Sequence, residues 1–212
     1  MKKFDVIIVG GGMIGLSLVV ELSKKMNLSV AIIDPNDCIP TINDSFHTRV
    51  SAITPSTQDF LSSINVWVKL QRKKGFSATK VWDQNSHGHL NFYAKDEGIK
   101  YLGYIVENDL IQSVLFNAID QSKVSMINAK LVGFTKTDIG YTVNLENGES
   151  HSCKLLVGAD GSRSKVRDLT EIQVTEHDYH QKAIIANIVS EKPLMDTTWQ
   201  RFLSDSILAI LP

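Results

Sequence analysis

The chain opens with an apolar, β-branched run from Phe4 to Val9 that breaks into Gly10-Gly11-Gly12-Met13-Ile14-Gly15. After the break, Leu16, Val19, Val20 and Met26 recur at helical spacing, so the pattern predicts a strand, a glycine turn and a helix in succession. A second apolar run, Ser29 to Ile33, ends at Asp34 and turns through Pro35 and Asn36. A strand, helix and strand in that order join by a right-handed crossover into a parallel pair. Val50 to Ile53 predicts a short strand, and Thr54-Pro55 a helix start with Thr as N-cap and Pro in the first helical position, the helix running to Ile64.

From Ser77 to Tyr104 the texture changes to short alternating segments separated by Asn, Gly and Asp, which predict antiparallel strands on a different sheet. Glu107 or Asn108 then opens a helix through Ile119, with Leu110, Ile111, Val114, Leu115 and Ala118 as its inner face. Ala129 to Thr135 and Tyr141 to Leu145 read as hairpin arms, and Asn147-Gly148 is a strong hairpin turn. The returning strand carries straight into Leu155-Leu156-Val157-Gly158-Ala159-Asp160-Gly161, with Ser162 as a cap for a short helix bearing Arg163 and Arg167. Strand-like text resumes at Lys182 to Val189 and again at Ile207 to Leu211, where nothing follows to pair or cover it; further sequence beyond Pro212 is the expectation. The fold class is α/β: a Rossmann-like parallel sheet interleaved with an antiparallel sheet built by excursions from it. The corresponding division places residues 1–76 and 106–170 in a nucleotide-binding domain, and 77–105 and 171–212 in a second, substrate domain.

Composition narrows the partners. With 22 Lys and Arg against 23 Asp and Glu, the net charge of -1 gives no global field to attract nucleic acid or an anionic membrane. Cys38 and Cys153 have neither disulfide-framework nor metal-site spacing and read as reduced thiols. The N-terminal apolar run is too short for a signal segment or a membrane span, so the cytoplasm is the default location.

The glycine motif gains meaning from its context: strand before, helix after, and Asp34 about twenty residues on within one unit. Gly10 suits the tight turn, Gly12 a close backbone approach to a pyrophosphate, and Gly15 close packing of helix on strand. The helix start, Met13 and Ile14 included, offers N–H groups and a positive dipole end to phosphates. Asp34 suits a ribose hydroxyl pair and would repel a 2′-phosphate, which favours FAD or NAD over NADP. The second glycine segment points to FAD, whose extended middle needs another contact. Asp160 can accept from ribityl hydroxyls, and Gly161 permits a positive φ beside the cofactor.

Together, the segments at 4–22 and 155–167 resemble the class A flavoprotein monooxygenases of the para-hydroxybenzoate-hydroxylase fold, the second segment being their Asp-Gly fingerprint. The stretches at 48–67, 81–92, 102–116 and 197–212 resemble, within that class, the ubiquinone-biosynthesis hydroxylases. The resemblance implies an enzyme that uses NAD(P)H to reduce FAD and O₂ to hydroxylate a polyprenyl phenol or quinol. It also admits membership of a ubiquinone-biosynthesis complex and peripheral contact with the inner membrane. It assigns Gly10, Gly12, Gly15 and Asp34 to the ADP part of FAD, and Arg49 to the neighbourhood of the pyrophosphate. Glu107 and Asn108 match the helix start facing the ribityl chain, and Asp160 is linked to both FAD and the reduced nicotinamide. The family's third fingerprint, Gly-Asp followed by Ala-His and a Pro- and Gly-rich loop, has no match in these 212 residues. A C-terminally truncated chain with weak or absent FAD is the expectation.

Such chemistry asks for positioning and dryness more than for an acid-base pair. Trp82, Leu90, Phe92 and Tyr93 could wall an apolar pocket, and His87 with His89 lacks a third metal ligand. No catalytic residue is named. Two other readings stay open: a different FAD oxidoreductase, such as a dehydrogenase, and a non-catalytic scaffold in a quinone-biosynthesis assembly.

Overall fold

The computed structural model describes residues 1–25, 27–36, 40 and 42–212. Met26 and Cys38, named above for a helix face and a thiol, lie outside the described residues. The chain divides into two compact units, one of Met1–Ile42, Ile64–Val66 and Ile111–Ala183, the other of Asn43–Ser63, Trp67–Leu110 and Ile184–Pro212.

The first unit is built on β1 (Lys3–Val9), α1 (Met13–Lys25) and β2 (Val30–Ile33), the expected parallel crossover. Its sheet has six strands, because β8 (Val124–Ile127) and β11 (Ser150–Gly158) flank that pair in parallel, in the order β8-β2-β1-β11. The hairpin β9 (Leu131–Thr137) and β10 (Gly140–Leu145) then extends the same sheet antiparallel to β11. These arms therefore belong to the parallel core's own sheet. Ile7, Ile8, Ile32 and Ile33 are fully buried, as are Leu16, Val19 and Val20 of α1, which packs on β1 and β2. Burying each such side chain stabilises the fold by about 1.5–3 kcal/mol relative to exposure, and it is this packing that holds the strand ends still. The short helix α4 (Lys165–Leu169) lies on β9 and β11 through buried Val166.

In the second unit, β3 (Val50–Ile53) leads into α2 (Pro55–Ser63), capped as expected by Thr54, whose hydroxyl accepts from the Thr57 amide at 3.4 Å. The strands between 77 and 107 divide between two sheets. β7 (Gly103–Glu107) runs between β3 and β4 (Lys73–Phe76), whereas β5 (Ala78–Asp83) and β6 (His89–Tyr93) join β12 (Thr197–Phe202) and β13 (Ile207–Ile210). The latter sheet is mixed, since β5 and β12 are parallel. β4 escapes the sequence pattern because Lys73, Lys74 and Gly75 read as polar loop. Charge is tolerated on an edge strand, and a Cβ at Gly75 would stand 2.8 Å from the Tyr101 ring.

In the C-terminal third one expected strand forms and one does not. The Ile207 run forms the expected strand and pairs antiparallel with β12, which precedes it in the chain. Residues 182–189, by contrast, form no strand, and Ile184 and Val189 are 95% and 101% exposed. β-branched residues favour a strand only where a neighbouring strand supplies the ladder, and none of the described residues does so there. The apolar wall around Trp82 is also less closed than expected: Trp82 meets Trp199 edge to face at 6.0 Å, but Leu90 and Phe92 are half exposed.

Candidate nucleotide site

β1 delivers the chain to Gly10, whose φ of +111° is a conformation L side chains rarely adopt, and the Gly10 amide donates back to Ile33 O at 2.8 Å. A Cβ at Gly10 would stand 2.2 Å from Ala159 O, and one at Gly15 would stand 1.9 Å from Gly10 O. Both glycines are thus required by backbone against backbone. At Gly12 nothing lies within 4 Å of a Cβ position, so this glycine is not needed for the protein's own packing. Such an opening is what a pyrophosphate beside the loop would require. Beyond it, Met13 and Ile14 open α1, which has no acidic residue in its first turn, and Ile14 stands 76% exposed.

Asp34, at the end of β2, turns back to this loop: Oδ2 accepts from the Gly11 amide at 2.6 Å and Oδ1 from the Asn36 amide at 2.8 Å. A carboxylate has about four acceptor positions, which leaves capacity for a hydroxyl pair. From α3 (Asn108–Phe116), Gln112 Nε2 donates to Gly11 O at 2.9 Å. No motif marks Gln112; only the fold brings it to the loop.

The second glycine segment sits directly beside the first. β11 pairs in register with β1 up to Val9 and Gly158, and the Ala159 amide donates to Val9 O at 2.7 Å. Gly161 has φ +82° with open space around it. Asp160 is more occupied than the sequence suggests: Oδ1 accepts from Ser164 Oγ at 2.5 Å, and Oδ2 from the amides of Lys165 at 2.6 Å and Val166 at 3.2 Å. The N-cap of α4 is Ser164, which accepts from the Arg167 amide at 3.0 Å, and not Ser162. Arg163 precedes the helix, while the Arg167 guanidinium donates to Ser162 O at 2.7 Å.

Arg49, Glu107 and Asn108 belong to the second unit. Arg49 is exposed, with its carbonyl accepting from the Asn108 amide at 3.0 Å. Glu107 ends β7 and is buried. Its carboxylate takes Arg72 Nε at 2.9 Å and Nη2 at 3.1 Å, together with the His47 amide at 2.7 Å. Arg72 Nη1 also holds Asn43 O at 2.7 Å, so one ion pair ties down the segment leading to Arg49. Asn108 accepts from Ser51 Oγ at 2.6 Å. Arg72 went unmarked in the sequence because it sits among lysines in a polar stretch.

Comparisons with known proteins agree with this geometry. The 3-demethoxyubiquinol 3-hydroxylase of Escherichia coli (strain K12) is 31% identical over 213 residues, covering 98% of this chain and 54% of that protein. The mitochondrial ubiquinone biosynthesis monooxygenase COQ6 of Mus musculus is 31% identical over 229 residues, covering 99% and 48% respectively. The chain therefore spans about half the length of the curated relatives it matches. Among solved structures, the flavin-dependent monooxygenase PieE, in complex with FAD and substrate, superposes with a TM-score of 0.72 at 12% identity over 99% of this chain and 41% of that one. PqsL of P. aeruginosa, in complex with 2-aminobenzoylacetate, gives 0.68 at 20% identity over 84% and 48%. These two share the fold. Residues 3–211 match the FAD binding domain family, over nearly the whole chain and with both glycine loops inside the match, and the chain belongs to that family.

Proposed function

We propose that the chain is the FAD-holding portion of a monooxygenase that hydroxylates a polyprenyl phenol or quinol in ubiquinone biosynthesis, using NAD(P)H and O₂. The observation that carries this reading is the side-by-side seating of the two glycine loops at the ends of β1 and β11, with Ala159 against Gly10. A single glycine loop suits any dinucleotide; two in contact suit a cofactor long enough to cross both. Bound FAD would supply electron transfer from NAD(P)H to dioxygen, which no side chain here can perform.

The residues of the chain would bind and orient. Gly10, Gly12, Met13, Ile14 and Gly15 would present backbone to the pyrophosphate, and Asp34 would take the ribose hydroxyls. Asp160 has about one acceptor position left after its three bonds, enough for a ribityl hydroxyl or a water, with Gly161 giving the backbone room. Arg49 is proposed near the pyrophosphate. Glu107, held by Arg72, would act by fixing the segment that carries Arg49. Residues 1–76 and 106–170 would form the FAD-binding part and the rest the substrate part. No helix among the described residues is long and apolar enough to cross a membrane. Peripheral contact with a membrane-held quinol, within a ubiquinone-biosynthesis complex, is the proposed setting.

The test has two arms. FAD is titrated into the full-length protein that carries these residues, as wild type and as Gly12→Val, and flavin-loaded protein is then given NAD(P)H, a polyprenyl phenol and isotopically labelled dioxygen. Saturable FAD binding that Gly12→Val removes, followed by label in the phenol, is the result expected of the full-length protein, whereas residues 1–212 alone should hold FAD weakly and leave the phenol unlabelled. NAD(P)H oxidation that continues without dioxygen when a quinone is supplied as electron acceptor, with no label in the phenol under dioxygen, would instead identify a dehydrogenase. A protein that takes no FAD and copurifies with quinone-biosynthesis proteins would be a scaffold.

A further inference from the structure

Gly11 is held from both sides by residues distant in sequence. Its N–H donates to Asp34 Oδ2 at 2.6 Å, and its carbonyl accepts from Gln112 Nε2 at 2.9 Å. Gly11 is buried, whereas Gly12 is exposed with empty space at its Cβ position. The Gly11 carbonyl and the Gly12 N–H belong to one peptide plane, and in a trans peptide they point in opposite directions. Whatever fixes the carbonyl therefore fixes the N–H. Without Gln112, two consecutive glycines would leave this peptide free to rotate, because glycine populates positive and negative φ about equally.

We infer that Gln112 is a positioning residue of the nucleotide site: it anchors the Gly11 carbonyl so that the Gly12 N–H is held pointing away from α3, ready for an anionic ligand. Asp34 alone cannot do this, since it restrains only the peptide that precedes Gly11. The Gln112 amide group suits the task because it reaches from the second turn of α3 without placing a charge beside the phosphates. The inference rests on the proposed FAD reading for its ligand, but the hydrogen bond itself is independent of it.

The test uses three replacements with similar helix propensity: Gln112→Met, which keeps bulk and loses the donor; Gln112→Glu, which puts a carboxylate against the carbonyl; and Gln112→Lys, which retains a donor. FAD dissociation constants of the full-length protein are measured by flavin fluorescence, with Gly12→Val as the control for the site itself. Met is expected to weaken FAD roughly fivefold, the worth of one neutral hydrogen bond, Glu to weaken it more, and Lys to stay within about twofold of wild type; without FAD, Met and Glu should melt below wild type because the Gly11 carbonyl loses its donor. Met indistinguishable from wild type, or Lys as weak as Met, would overturn the inference.

If FAD affinity is indifferent to Gly12→Val, or no FAD binds, the proposed function is what fails. The carbonyl carbon resonance of Gly11 then decides the remaining question. It should move in Gln112→Met and not in Gln112→Lys, and a resonance unmoved in the Met variant means the anchor does not exist.

Discussion

Replacing Asp160 separates two jobs that the sequence assigns to one carboxylate. In the fold it accepts from Ser164 Oγ and from the amides of Lys165 and Val166, so Asp160→Ala leaves three donors without an acceptor. The Lys165 amide is exposed and can turn to water; the other two bonds are partly buried. Loss of an N-terminal cap costs about 1 kcal/mol, and stranding the partly buried donors adds about 1–1.5 kcal/mol. Ser164 still caps the Arg167 amide, which limits the damage to the first turn of α4. For a chain of this size, about 2–2.5 kcal/mol lowers the melting temperature by about 4–10 °C. Asp160→Asn keeps one oxygen but turns an NH₂ toward Ser164 or toward the two amides, so it should cost about half as much. The assay is thermal unfolding without any flavin, followed by circular dichroism. A direct cofactor ligand with no structural task would leave this melting temperature untouched, so an unshifted Asp160→Ala refutes the capping role.

The glycine loop makes a paired prediction: Gly15→Ala drives a methyl onto Gly10 O and should cost at least about 2 kcal/mol, while Gly12→Ala should leave flavin-free stability within about 0.5 kcal/mol. Denaturant midpoints of the two variants check this, and equal losses would contradict the assigned packing. Arg72→Met strands the buried Glu107 carboxylate and should destabilise by about 3 kcal/mol; adding Glu107→Gln should recover part of that loss, and an additive double variant would disprove the pairing. The Asp5 carboxyl is held well below the usual carboxylate range by its hydrogen bond to Lys154, then by the amide and hydroxyl of Ser29. A pKa lower in the folded than in the unfolded chain gives stability that is present above the unfolded value, near 4, and lost as pH falls through the folded one. The stability advantage of wild type over Asp5→Asn should therefore shrink steadily below pH of about 4 in urea titrations; an advantage that grew toward acid would reverse the sign.

What could be read from residues alone follows how local each constraint is. Gly10 and Gly15 are legible because a positive φ and a backbone contact admit no other residue, and β1 and β2 because their side chains are almost wholly buried. Both signals are written in neighbouring positions. The seating of β11 against β1 is not, since an apolar strand ending in glycine says nothing about which strand it joins; a shared ligand followed from the length of FAD, but the register that sets the two loops side by side did not. β4 was hidden because its pairing with β7 outweighs a lysine-rich, glycine-containing sequence, and 182–189 misled because the same non-local term is missing there. The side chains that hold the site behave likewise. Asp34 was legible by its position after β2, but Gln112, Arg72 and Ser164 carry no motif, and the capping task of Asp160 was hidden because its partners lie only four to six residues ahead in a turn whose shape the sequence does not state. Residues that touch a cofactor leave patterns because the cofactor constrains backbone. Residues that hold those residues in place are constrained only by distance, and distance across the fold appears once the strands are paired.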